Sequence, residues 1–166
     1  MKNIVYLLLA LVSDGISAQP TAEAYLNSAV SKFYLDDMKG AIVDYTKAII
    51  IDPSYVEAYR KRGLAKEALK DFSGAIVDYT KAIEIDPNYA PAYRDRGISK
   101  DKLKDFSGAI ADYSRAIKID PNYATAYFNR GVCKFYLGDM IGACNDASKA
   151  QELGDDASIL IKKVCN

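Results

Sequence analysis

Cysteine thiols, carboxylates and cations are the reactive side chains this chain offers, because it has no histidine. That removes Ser-His and Cys-His catalytic pairs and every imidazole metal ligand. Three cysteines do not complete a four-thiolate zinc site. Ser, Lys and Asp are abundant, but they recur at fixed spacing and so read as structural. No phosphate loop, paired catalytic carboxylates or metal-ligand spacing is present, so neither catalysis nor a cofactor is expected. The 22 basic and 22 acidic residues cancel, which removes a net-charge argument for nucleic acid or an anionic membrane. Half of the 166 residues are hydrophobic, too many for a disordered segment. A chain of this length makes one small domain or one short repeat array.

The carrying elements follow from periodicity. Tyr25, Tyr59, Tyr93 and Tyr127 are 34 residues apart. Ala29, Gly63, Gly97 and Gly131 keep the same step, as do Pro53, Pro87 and Pro121. Aligning 56–89 with 90–123 gives 23 identities in 34. The units are therefore 22–55, 56–89, 90–123 and 124–157, and this period signals a solenoid in which each unit buries its apolar face against its neighbours. Each unit reads as two helices. In the second unit, Ala58, Tyr59, Arg62, Gly63, Lys66 and Leu69 fall at helical spacing, and Lys70-Asp71 interrupts them, with Asp71 as the next N-cap. Ala75, Ile76, Tyr79, Ala82 and Ile83 form the stripe of the second helix. Asp86-Pro87 ends it, and Asn88 is expected to cap the helix that follows.

The first residues read as an address. Lys2 and Asn3 precede a nine-residue apolar run, Ile4 to Val12, about half the length of a membrane span. Small residues before Gln19 complete the pattern of a secretory signal peptide over 1–18. The expected product is an exported protein, periplasmic or secreted, with no membrane span. The absence of a cysteine after the run argues against a lipoprotein.

The repeat resembles the tetratricopeptide family. The residues that carry the likeness are Tyr59-x2-Arg62-Gly63-x2-Lys66, then Ala75-x3-Tyr79, then Pro87, in register across 22–157. The resemblance implies an all-α, right-handed solenoid of four helix-turn-helix repeats, with residues 158–166 as a short capping helix. It also implies a non-enzymatic module that binds a protein or peptide on its concave face, a member of the exported bacterial type. The alternative is a structural solenoid that assembles with itself.

Two positions that are apolar in the family carry cations here. Arg62, Arg96 and Arg130 stand where the family has Leu, and Lys32, Lys66, Lys100 and Lys134 where it has an aromatic. Like charges at i,i+4 require a compensating anion, and Asp44, Asp78, Asp112 and Asp146 recur on the second helices. The first unit has Ser28 in place of Arg and has no predecessor. That absence predicts a charge ladder in which each Arg reaches back one unit: Arg62 to Asp44, Arg96 to Asp78, Arg130 to Asp112, with the Lys completing the site from its own unit.

By family position the inward, partner-binding residues are Leu26, Val30 and Phe33; Arg60, Leu64 and Glu67; Arg94, Ile98 and Asp101; Phe128, Val132 and Phe135, with Tyr34 and Tyr136 beside them. Phe-Tyr pairs occur only in the outer units, which predicts a groove with apolar ends and a charged middle. The carboxylate clamp of the chaperone-binding members is not matched. Its positions hold Arg60, Leu64, Asp95, Thr125 and Asn129, or, one unit earlier, Leu26, Val30, Lys61, Pro91 and Arg94.

All three cysteines lie in the last quarter. An odd count allows at most one intramolecular bridge. A cap docked on the second helix of the fourth unit places Cys165 best to meet Cys144, leaving Cys133 reduced. The chain's ending, Ala143-Cys144 through Ile161-Lys162-Lys163 to Cys165, also resembles the ends of other exported bacterial repeat proteins. The alternatives are three buried thiols or a Cys133–Cys144 bridge.

Overall fold

The computed structural model describes residues 20–165; the expected signal segment lies outside them. Among the described residues there are nine helices and no strand. They are α1 (Ala22–Tyr34), α2 (Met38–Ile51), α3 (Val56–Ala68), α4 (Phe72–Ile85), α5 (Ala90–Lys102), α6 (Phe106–Ile119), α7 (Ala124–Tyr136), α8 (Met140–Glu152) and α9 (Ser158–Val164).

The same local chemistry makes every hairpin. The first helix ends as the chain passes through a left-handed residue, Asp36, Lys70, Lys104 or Gly138, with φ of 64°, 63°, 63° and 83°. The next amide then bonds back to the last turn, as in Asp71 N–H to the Lys66 carbonyl at 2.9 Å, which satisfies a carbonyl the helix end would leave bare. That same residue caps the second helix. Asp37, Asp71, Asp105 and Asp139 accept from the amides of Gly40, Gly74, Gly108 and Gly142, each at 2.9 Å. The expectation for Asn88 is corrected. The next helix has Tyr89 at its N-cap, with no side-chain cap bond, and Asp86 instead accepts from the Asn88 N–H at 2.9 Å, closing the turn.

Packing is sequential. Each helix packs on the next along the chain, each first helix also touches the following first helix, and no second helix touches another. The first helices α1, α3, α5 and α7 therefore lie on the inner, tighter-radius side, and α2, α4, α6 and α8 on the outside. Close approach in the second and third hairpins needs glycine: a Cβ on Gly63 would stand 2.5 Å from the Tyr79 ring, and one on Gly97 2.6 Å from Tyr113. In the fourth unit Ala147 takes the tyrosine's place, and a Cβ on Gly131 would instead meet Leu160 of α9 at 3.3 Å. The cap helix thus fills space that a ring occupies elsewhere.

The charge ladder exists with a different register. Arg62 does not reach Asp44. It forms a forked pair with Asp78 of its own unit, Nη2–Oδ1 2.6 Å and Nε–Oδ2 3.0 Å, and Lys66 adds a third contact at 2.8 Å. Arg96 pairs likewise with Asp112 and not Asp78, and Arg130 with Asp146 and not Asp112. The hairpin explains this: α3 lies alongside α4, so the carboxylate on α4 faces it directly. What Arg62 sends back is its remaining Nη1, which donates to Thr46 Oγ1 of the preceding unit at 3.1 Å. Arg96 does the same to Thr80 and Arg130 to Ser114, each at 3.0 Å. Ser28 takes the Arg position in the first unit. It donates to Asp44 at 2.7 Å, beside Lys32 at 2.5 Å. Each Arg also lies over the tyrosine three residues before it, 5.5–5.7 Å from the ring centre for Tyr59, Tyr93 and Tyr127.

Asp78 is 1% exposed, and removing it strands two half-buried cations, a change of the kind that costs about 3–5 kcal/mol. Asp78→Ala is expected to lower the melting temperature by several degrees. Asp44→Ala is expected to do less, since Lys32 and Lys47 remain 38% and 48% exposed. A thermal scan in which Asp78→Ala moves the midpoint by less than half a degree contradicts the ladder.

Candidate functional site

The inner face carries three clefts. The first, about 130 Å³, is lined by Val30, Phe33, Tyr34, Tyr45, Arg60, Lys61 and Leu64. The second shares Phe33 and Leu64 with it and continues over Glu67, Phe72, Arg94, Asp95, Ile98 and Lys102. Together they form one groove across the first three units. The third lies at the far end, where Phe128, Val132, Phe135 and Tyr136 of α7 face Ile159, Leu160 and Lys163 of α9.

Of the residues expected inward, Val30, Phe33, Arg60, Leu64, Arg94 and Ile98 therefore come together, while Phe128, Val132 and Phe135 form a separate end. Leu26 lines none of these clefts; it is buried in the core of the first units with Ala29 and Tyr45. Asp101 faces Cys133, whose thiol lies 3.8 Å from its Oδ1. Burial first, and this carboxylate second, push the Cys133 thiol up to about 12, so it is not an accessible nucleophile.

The middle of the groove is organised by a residue that stands at a carboxylate-clamp position without matching it. Asp95 is 1% exposed and receives Arg60 from the preceding unit, Nε–Oδ2 2.8 Å, and its neighbour Arg94, Nε–Oδ1 3.0 Å. Arg60 and Arg94 are thereby held in place. Arg60 also meets Glu57 at 3.3 Å, and Arg94 meets the Tyr123 hydroxyl at 3.0 Å. The signal for Asp95 was its break in the repeat, since Asn27, Lys61 and Asn129 occupy the position in the other units. Burial raises the Asp95 carboxyl above its usual range even with both guanidiniums opposing it. Glu67, half-buried in the same groove, accepts from the Tyr79 hydroxyl at 2.9 Å. Its carboxyl is raised as well, by burial, with the tyrosine bond working against it.

These groups have a defined chemical capacity. Apolar walls at Phe33, Leu64 and Ile98 hold side chains, and fixed ionic groups between them hold the polar backbone or charges of an extended segment. Among the described residues no group of three or more Cys, Asp or Glu side chains is placed to hold a metal ion. No described helix is long and apolar enough to cross a membrane.

The disulfide geometry is explicit: Cys144 of α8 and Cys165 just after α9 are bonded, with Cα atoms 5.1 Å apart, and Cys133 is free and buried.

Comparison with known proteins follows the repeat. Tetratricopeptide repeat profiles match residues 22–55 and 56–89, and a TPR repeat profile matches 102–138. No curated protein matches the chain in sequence. Among solved structures, MamA superposes with a TM-score of 0.77 at 26% identity, covering 81% of this chain and 78% of that one. The first TPR domain of Spaghetti (RPAP3), solved with the HSP90 peptide SRMEEVD, superposes with a TM-score of 0.70 at 26% identity, covering 75% and 99%. MamA of Desulfovibrio magneticus RS-1, at 20% identity and a TM-score of 0.75, shares the fold.

Glu67 supplies a pH signature. A carboxyl raised in the folded state is neutral in both states at low pH, so it weakens the fold only as pH climbs from the unfolded value, about 4.3, through the folded one. Glu67→Gln removes that loss. The stability difference, Gln variant minus wild type, is expected to grow as pH rises through this window and then level off. Urea unfolding at stepped pH measures it, and a difference that shrinks with pH refutes the assignment.

Proposed function

We propose that this chain, which belongs to the tetratricopeptide repeat family, is an exported interaction module that holds a peptide or protein segment along its inner groove. The observation that carries the reading is the continuous groove over α1, α3 and α5, with apolar walls at Phe33, Leu64 and Ile98 and a fixed ionic centre at Arg60, Asp95 and Arg94. Tetratricopeptide chains act as protein-binding modules, and the RPAP3 domain of similar fold is bound to a peptide. The positions of a carboxylate clamp are not filled here, so the partner is expected to present side chains to the apolar walls rather than a chaperone's acidic terminus. Export is supported by the signal-like segment 1–18 and by the bonded Cys144–Cys165 pair, a linkage that persists in oxidising compartments. The periplasm or the exterior is the proposed location.

The test is affinity capture from envelope extract, followed by an isotherm on the captured partner with wild type, Phe33→Ala and Phe135→Ala. Aromatics at interfaces are common anchors, so Phe33→Ala is expected to cost about 1–3 kcal/mol of binding with the helical signal unchanged, and Phe135→Ala the same where the segment extends into the end cleft. Unchanged affinity in the double variant would move the site off the inner face.

A further inference from the structure

The cleft at the far end of the inner face differs from the rest of the groove in how it is built. One wall, Phe128, Val132 and Phe135, belongs to α7; the other, Ile159, Leu160 and Lys163, belongs to α9. Its volume of about 240 Å³ is below that of clefts that enclose a whole small ligand, about 300–1,000 Å³, and suits a side chain of a longer segment. Ile159 remains 73% exposed at its lip. Lys163 Nζ lies 5.9 Å from the centre of the Phe135 ring and has no carboxylate in ion-pair contact among the described residues. Asp156, at the opposite end of α9, is engaged by the Ser158 N–H at 3.1 Å. The cleft is therefore apolar along its length, with a cation at the Lys163 end and the Asp156 carboxylate at the other. That complementarity selects an apolar side chain followed closely by a carboxylate.

The second wall is conditional. Helix α9 has seven residues, too few to persist without tertiary support. Leu160 and Val164 bury it on the fourth unit, and the bond from Cys165 to Cys144 of α8 anchors its far end. Cys165 is exposed, so a reductant reaches that sulfur, whereas the free thiol Cys133 is buried and takes no part.

We propose that this cleft is a redox-gated seat for a partner segment carrying an apolar side chain followed by a carboxylate. The proposal rests on the inner-face reading above and adds the chemistry and control of one end. The step is thiol–disulfide exchange with a dithiol. One thiolate of the dithiol attacks Cys165 Sγ, the Cys144 sulfur leaves and takes up a proton, and the second thiol closes the dithiol into its own disulfide while Cys165 is released as a thiol. The protein gains two electrons and two protons, and the dithiol loses them. Helix α9 then loses its anchor, and the cleft loses a wall.

The experiment uses the exported protein, isotope-labelled, with an acetylated and amidated pentapeptide of Gly, Phe, Leu, Glu and Gly in that order, titrated by NMR. The oxidised protein is expected to bind with shifts at Phe128, Val132, Phe135 and Ile159. Reduction with dithiothreitol, or Cys165→Ser, is expected to weaken binding at least tenfold while helicity over α1–α8 persists. Lys163→Gln leaves the bridge intact; it is expected to weaken binding several-fold, with no further loss when the peptide's Glu becomes Gln. Equal affinity in oxidised and reduced protein overturns the gate. Shifts confined to Val30, Phe33, Leu64 and Ile98, or none at millimolar peptide, overturn the seat. Phe33→Ala separates the two claims, since it tests the groove of the first three units and leaves this cleft untouched.

Discussion

One guanidinium in each unit after the first does two jobs. Its Nε and Nη2 close the hairpin on the unit's own Asp, and its Nη1 reaches the hydroxyl of the unit before. The carboxylate that receives it is buried, and the flanking Lys gives the same carboxylate a second cation. A buried ion pair of this sort adds little net stability over an apolar one, but breaking it is costly. Chain order sets which hairpin follows which, and the repeated contact to the preceding hydroxyl holds each pair in one register.

The ends depart from this pattern. In the first unit Ser28 stands at the Arg position and satisfies Asp44 locally. At the last unit the outer apolar face has no successor. Ala147 replaces the hairpin tyrosine, Leu160 occupies the space beside Gly131, and the bond between Cys144 and Cys165 holds α9 over it. With stacking fixed by the ladder and closed at both ends, the inner faces of α1, α3, α5 and α7 are relieved of structural duty. These are the positions where the units differ most: Phe33, Glu67, Asp101 and Phe135 share one place in the repeat.

The hairpins were legible in sequence because their determinants are local. Asp71 two residues past Leu69, and Pro87 after Asp86, fix both helix ends within a few residues. The ladder's members were legible from their period, but not their pairing, since a repeat of 34 places Asp44 and Asp78 in equivalent sequence positions and only the hairpin decides which one faces Arg62. Asn88 was mistaken for a cap because the preceding Asp86 takes that turn for itself. Asp95 was missed as an organiser: its partners lie 35 residues back and one residue back, and only the assembled groove brings them to one carboxylate. Leu26 has the inward spacing yet sits in the core with Ala29 and Tyr45, an apolar side chain where the next two units carry Arg60 and Arg94.

The claim that the inner groove is where a partner lies is tested most directly by placing a photoreactive benzoylphenylalanine at Leu64, in the groove wall, and separately at Val77, exposed on the outer helix α4. Irradiation in envelope extract is predicted to yield a covalent adduct of defined mass from position 64 and none from position 77. An adduct from position 77 with none from position 64 would contradict the account.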